Sequence, residues 1–314
     1  MNRRNTLKAL GLASGTAMIP QLVSAKPSEQ NEQKKPASQF KYCLNTSTIR
    51  GQKVSLTKSI EIAAKAGFDS LELWVMDVKA YKDQGGSMPA LKKLIDDSKL
   101  TVEDAIGFAP WMVDDEAQRT AGFAQMKEEM LLMAEIGCKR IAAPSSGVKA
   151  DAQLDLYKVG ERYKKLLDLG RETGVKPLLE FWGGSPVFYH FGQALMACAA
   201  ANDPDVSILP DVYHLFRGGS NFDCLKMVNG KLIDVIHIND YPGNVPRTEQ
   251  NDSHRVYPGD GVAPFKQILT DLSNMGGTKV LSLELFNKDY WAQDALEVCK
   301  TGLEKIKKVV QLVK

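Results

Sequence analysis

Four side chains able to bind a metal stand at or near the tips of four apolar runs. Glu180 closes Pro177-Leu178-Leu179-Glu180, and Asp211 closes Ile208-Leu209-Pro210-Asp211. His237 sits in Val235-Ile236-His237-Ile238, and Glu284 ends Leu281-Ser282-Leu283-Glu284. Such a run reads as a buried strand whose end projects a polar residue into a mouth. Three carboxylates and one imidazole make a hard, oxygen-rich donor set. It suits one divalent metal ion, Mn²⁺, Mg²⁺ or Co²⁺, and Zn²⁺ is compatible with it. Alone, each acid would read as a surface or salt-bridged group, and a lone histidine as a satisfied core residue. Four at equivalent strand ends are hard to explain that way. Asp211 is followed three residues later by His214, so this stretch offers a second imidazole.

Positioning these tips needs a repeating architecture. From residue 40 onward, short apolar runs alternate with helical patterns. Strands are expected over 40–45, 70–74, 101–106, 139–143, 176–181, 206–211, 234–240 and 279–286. Helices are expected over 55–66 (closed by Gly67), 88–98, 153–173, 193–201, 222–228 and 264–275, with a last amphipathic helix to the C-terminus. A further long helix carries Phe123, Met126, Met130 and Ala134 on one face. The polar loop over 241–261 is too long for a plain connection, and loops of that length often carry function. Eight strand–helix units in about 270 residues point to an α/β fold, the (β/α)₈ TIM barrel. A doubly wound sheet that binds a dinucleotide would show a Gly-rich turn after its first strand. Here that strand leads into Thr46-Ser47-Thr48. Active sites of such barrels lie at the C-terminal strand ends. The four tips fall on strands five to eight, adjacent around half the rim.

With 44% hydrophobic and 25% charged residues, the 314-residue chain is ordinary for a soluble globular protein. No apolar run is long enough for a transmembrane helix, so no stable membrane anchor is expected. The start, Asn2-Arg3-Arg4-Asn5-Thr6-Leu7-Lys8, precedes an apolar stretch ending Val23-Ser24-Ala25. Residues 1–25 thus resemble a twin-arginine export signal, and the protein is expected to be exported to the periplasm. Residues 26–39 read as a flexible tether and 40–314 as the barrel. Deleting residues 1–25 removes three basic residues and no acid, taking the formal charge from +2 to −1. No basic excess remains, which argues against nucleic acid as a partner. Five scattered cysteines without a CxxC pair imply neither a disulfide framework nor a cysteine zinc site.

Leu178-Leu179-Glu180-Phe181, Pro210-Asp211-Val212-Tyr213-His214, Ile236-His237-Ile238-Asn239-Asp240, Pro258-Gly259-Asp260-Gly261 and Leu283-Glu284-Leu285 carry a resemblance. They resemble the sugar phosphate isomerase/epimerase family, with its xylose isomerase-like barrel, from about residue 40 to the C-terminus. The Asp-x-x-His spacing is its sharpest piece. The resemblance implies that Glu180, Asp211, His237 and Glu284 bind one divalent metal, and that Glu180 and Glu284 are the catalytic acid/base pair. A metal on a carbonyl and its neighbouring hydroxyl stabilises an enediolate, while one Glu removes a proton and another returns it. His214, further out along the loop, is expected on the substrate, as are Arg255, Trp74 and Trp182. Arg255 has a solvated loop charge as its alternative. Trp74, Trp111 and Trp182 follow strands two, three and five, and two of the three can be rim packing. Glu72 reads as structural, or as a hydrogen bond to a substrate hydroxyl.

The partner is expected to be a small-molecule sugar or keto-sugar. The loop Asn287-Lys288-Asp289-Tyr290 is not Gly-rich, so the substrate is expected to be unphosphorylated. The resembled barrels also include lyases that act on inososes and 3-keto-sugars. Elimination starts with the same proton removal, so the lyase reading stays open. A non-catalytic sugar-binding protein is the third reading. Endonuclease IV shares the barrel but needs a His-rich multi-zinc site, and four histidines are too few. An oligomer is compatible with the sequence.

Overall fold

The computed structural model describes residues 39–313. The expected export signal and residues 26–38 of the tether lie outside the described residues. Gln39, assigned to the tether from its polarity, opens the first strand instead.

Eight parallel strands follow one another: β1 (Gln39–Asn45), β2 (Ser70–Trp74), β3 (Thr101–Ile106), β4 (Arg140–Ala143), β5 (Lys176–Glu180), β6 (Ile208–Leu209), β7 (Val235–His237) and β8 (Thr278–Leu283). They form two hydrogen-bonded runs, β3-β2-β1-β8-β7 and β4-β5-β6. The first strand therefore lies against the last, which closes a barrel and excludes a doubly wound sheet. At the β6/β7 seam, the His237 N–H donates to the Pro210 carbonyl at 3.0 Å, and Asp211 pairs with His237. At the β3/β4 seam side chains make the join. Arg140 Nη1 donates to the Glu103 carbonyl and carboxylate at 3.3 and 2.9 Å. The expected (β/α)₈ barrel is borne out.

Helices α1 (Leu56–Ala66), α3 (Met88–Asp97), α4 (Glu116–Ala134), α5 (Leu156–Thr173), α6 (Phe191–Ala201), α8 (Phe265–Asn274) and α10 (Ala295–Val310) match the expected ones within a few residues. Ser55 caps α1 by accepting from the Lys58 N–H, and Gly67 ends it at φ 93°. The expected helix over 222–228 is a 3₁₀ turn, Phe222–Met227. Three short helices were not expected: α2 (Val75–Asp83), α7 (Val212–Arg217) and α9 (Lys288–Trp291). The first has no side-chain cap to announce it. Within α7 the apolar run simply continues, because Val212, Tyr213 and Leu215 are all buried. Its periodicity marks no boundary with the strand. Pro210 cannot donate a ladder hydrogen bond, so β6 is shorter than its apolar run.

The main core lies between strands and outer helices. A second cluster, with Cys43, Ile106, Ala142, Leu178, Leu209, Val235 and Val280, takes one residue from every strand except β2. From that strand the partly buried Trp74 packs against the cluster, and Glu72 is fully buried. All five cysteines are free thiols. Among the described residues, no helix is long and apolar enough to cross a membrane.

Near the N-terminal strand ends, Glu103 accepts from Lys41 and Lys139 at 2.7 Å and from Arg140 at 2.9 Å. Asp234 takes Lys176 at 3.0 Å. Burial opposes the Glu103 charge, but Lys139, Lys41 and Thr101 outweigh it and hold the carboxyl down to about 2. A depressed carboxylate stabilises fully above its ordinary value of 4.5, and that stabilisation fades as pH falls toward 2. Glu103→Gln should therefore cost at most about 3 kcal/mol at pH 7. It should also flatten the loss of stability between pH 4.5 and 2. Urea unfolding at pH 7 and pH 3 checks both. Equal acid sensitivity in variant and wild type would refute the assignment.

Candidate metal and substrate site

His237 ends β7 with its ring fully buried. Its Nε2 lies 2.8 Å from Glu72 Oε1, and the other Glu72 oxygen accepts from the Ser282 hydroxyl. Glu72 is thus structural, one of the two roles expected for it. This contact turns Nδ1 toward the mouth, 3.1 Å from Glu284 Oε2 and 3.4 Å from Asp211 Oδ2. Nδ1 makes a well-directed hydrogen bond to neither.

Asp211 follows β6 and caps α7, Oδ1 accepting the His214 N–H at 3.0 Å. Asn239 Nδ2 steadies the carboxylate at 3.3 and 3.2 Å, while its Oδ1 accepts the Tyr213 N–H. Glu284 follows β8. Asn45 Nδ2 donates to its Oε1 at 3.1 Å, and Asn45 Oδ1 accepts from Trp74 Nε1 at 2.9 Å.

One ligand atom each from Asp211, His237 and Glu284 lies within 4.8 Å of the others. Two carboxylate oxygens and an orphaned buried imidazole nitrogen facing them fit a divalent ion. The surrounding electrostatics agree. Burial alone would lower the His237 ring, yet Glu284 and Glu72 hold it well above the usual imidazole value.

Glu180, the fourth expected ligand, does not join that triad. It ends β5, is buried, and lines the cavity alongside Glu284. Burial pushes its carboxyl up to about 8; His237 opposes that, while Glu284, Glu72 and Asp211 reinforce it.

Arg255 is not a solvated loop charge. It is 1% exposed. Its Nη1 donates to Asp211 Oδ2 at 2.7 Å and Glu284 Oε2 at 2.8 Å, and its Nη2 to Asp252 Oδ1 at 2.7 Å. Burial raises the Asp211 carboxyl, but the Arg255 guanidinium outweighs it and holds it well below the usual range. His214 lies inside α7 rather than out along a loop, because Asp211 starts a helix at once. Its Nε2 lies 3.2 Å from Arg255 Nη2, and its buried Nδ1 has no hydrogen-bond partner. Burial pushes its ring down, so it is neutral at pH 7.

The long loop carries a 3₁₀ turn, Asp252–His254, which delivers Arg255. Asp240 pins its return by accepting the N–H groups of Gly259, Gly261 and Ala263. A Cβ on Gly261 would come 2.2 Å from the Tyr241 carbonyl, so the Gly-Asp-Gly stretch is a tight turn and not a ligand.

These side chains face a cavity of about 680 Å³. Its polar lining includes Glu180, Glu284, His214, Arg217, Asp252 and Arg255, and its aromatic walls Trp74, Phe108, Trp182 and Phe286. Trp111 packs in the core on Tyr163, its N–H donating to the Pro144 carbonyl. Sequence reasoning missed Asn45, Asn239, Asp252 and Phe108. Asn239 stood within the quoted His237 stretch, but its partner Asp211 lies 28 positions away.

Residues 60–308 match the xylose isomerase-like TIM barrel family. The chain belongs to that family. Within it, the chain is 28% identical over 279 residues to an inosose isomerase of Bacillus licheniformis, covering 86% of this chain and 98% of that protein. It is 25% identical over 262 residues to a 3-dehydroshikimate dehydratase of Pseudomonas putida, covering 80% of this chain but 39% of that one. Among solved structures, the IOLI protein with a binding zinc atom superposes with a TM-score of 0.81 at 25% identity, over 87% of this chain and 99% of that chain.

If Glu72 aims His237, Glu72→Gln should weaken Mn²⁺ or Zn²⁺ binding by about 10–100-fold without removing a ligand. Asp211→Ala should lose the ion, and His214→Ala should retain it. Metal analysis after dialysis and calorimetric titration check all three. Undiminished affinity in Glu72→Gln would show that the ring is held by something else.

Proposed function

We propose that this protein is a divalent-metal-dependent isomerase or epimerase of an unphosphorylated sugar or keto-sugar, acting by proton transfer beside a carbonyl. One observation carries the reading. The converged Asp211, His237 and Glu284 donor set reaches the cavity through Glu284, and Glu180 lines that same cavity with its carboxyl raised to about 8. A bound ion would supply Lewis-acid stabilisation of an enediolate. A carboxyl that titrates near neutrality suits a group that must both take and return a proton. Glu180 is therefore assigned as one acid/base residue and Glu284 as its partner. His214 lines the cavity and is assigned to a substrate oxygen. Trp74 and Trp182 offer apolar faces to the substrate.

The cations around the cavity favour a neutral substrate. Arg255 is held by three carboxylates, and Arg217 donates to the Gln250 and Thr248 carbonyls. An ion taking Asp211 Oδ2 and Glu284 Oε2 would displace Arg255 Nη1 from both. The preference for a neutral substrate therefore rests on the bond from Arg255 Nη2 to Asp252 and on the Arg217 bonds, which a phosphate or carboxylate would have to break. The likeness to an inosose isomerase supports this reading. The likeness to 3-dehydroshikimate dehydratase supports a lyase as the second reading, since elimination begins with the same proton removal. Product mass separates them, with a change equal to water for a lyase and none for an isomerase.

Glu180→Gln should keep the metal and lower solvent-deuterium uptake into keto-sugars by about 10²–10⁴-fold. Glu284→Gln should weaken both metal binding and uptake. Mass spectrometry of candidate substrates in D₂O with added Mn²⁺ reads the exchange. Full exchange in Glu180→Gln would remove it from the acid/base pair, and tight sugar binding with no exchange in the wild type would favour a non-catalytic binder.

A further inference from the structure

The cavity is larger than the charged part of the site. The converged donors come from β6, β7 and β8, while the cavity extends across the mouth to the loops after β4 and β5. There it is lined by Ser145, Gly147, Trp182, Gly184, Ser185 and Pro186, none of them charged. A row of aromatic rings links the two halves. Trp74 and Phe108 have centroids 5.3 Å apart, and Phe108 and Trp182 6.2 Å apart.

The outer wall is built rather than loose. Ser185 N–H donates to the Trp182 carbonyl at 2.8 Å, and its hydroxyl accepts from the Val187 and Phe188 N–H groups. Gly183 brings this loop hard against α7, since a Cβ there would lie 2.4 Å from the His214 carbonyl. Proteins enclose drug-sized ligands in cavities of roughly 300–1,000 Å³. A single six-carbon ring is far smaller than such a ligand. Seated over Glu180 and Glu284, it would leave the outer aromatic and hydroxyl lining facing water.

Resting on the sugar-processing reading above, we infer that the cavity takes a neutral two-ring substrate. A keto-sugar ring sits over Glu180 and Glu284, and a glycosidically linked second ring lies against Phe108 and Trp182. The second ring needs no ion pair. Its apolar face meets the aromatic rings, and its hydroxyls meet Ser145 and Ser185.

Gly184 provides the test, because a Cβ added there meets nothing within 4 Å. Gly184 lines the outer half, so a large side chain can be placed at its edge without crowding the backbone around it. D-Fructose and 3-keto-D-glucose serve as one-ring probes; isomaltulose, lactulose and 3-keto-sucrose serve as two-ring probes. Affinity is measured by calorimetry and turnover by deuterium uptake, both with Mn²⁺. At least one two-ring probe should bind about tenfold more tightly than the one-ring probes to the wild type. Gly184→Trp should cut the ratio of two-ring to one-ring affinity about tenfold. Trp182→Ala should lower the same ratio, covering the case in which Gly184→Trp does not fold. One-ring probes that exchange while every two-ring probe is rejected, or ratios unmoved in both variants, would overturn the inference and leave the sugar reading intact. Absence of binding and exchange with all probes would overturn the sugar reading itself.

Discussion

One hydrogen bond inside the barrel, from His237 Nε2 to Glu72, decides where the open ring nitrogen points. Both side chains are fully buried, so neither can turn to water for a substitute. With Nε2 committed, Nδ1 must face the mouth, where Asp211 and Glu284 stand. The Ser282 hydroxyl on the second Glu72 oxygen fixes the carboxylate in turn. The orientation of the donor set is thus determined one layer below it, among groups that never meet the substrate.

Above that layer the problem is charge. Asp211, Glu284 and Glu180 stand close together away from water, where like charges repel strongly. Each answers differently. Asp211 is held ionised by Arg255, while Glu180, outside that pairing, keeps its proton more easily. The same low-dielectric surroundings therefore give one firm anion and one carboxyl that burial pushes toward its neutral form. Fixed ligand and acid/base roles can arise from neighbours of identical chemistry in this way.

The barrel and the strand ends were legible in the sequence, because an apolar run ending in a carboxylate or imidazole is a local pattern. Ser55 and Gly67 likewise announced α1. What was not legible depended on distant partners or on blurred boundaries. Glu72 and His237 are 165 positions apart, so nothing local tied one to the other. Arg255 sat in a polar loop, and its burial follows from Asp211 and Glu284, 44 and 29 positions away. His214 was set on a loop because Val212 and Tyr213 continue the apolar run of β6, hiding the start of α7. Of the four expected ligands, Asp211, His237 and Glu284 bring ligand atoms within 4.8 Å of one another, and Glu180 lines the same cavity.

The two oxygens of Asp211 serve different structures. One caps α7 through the His214 N–H, and the other faces His237 Nδ1. The first turn of α7 also carries Tyr213, whose N–H rests on the Asn239 side chain that steadies Asp211. An ion held by Asp211 would therefore be thermodynamically linked to the fraying of this helix. Whatever stiffens the carboxylate stiffens the helix, and a helix that unwinds loosens the carboxylate by the same free energy. His214 stands on the same first turn, so its imidazole shares that linkage.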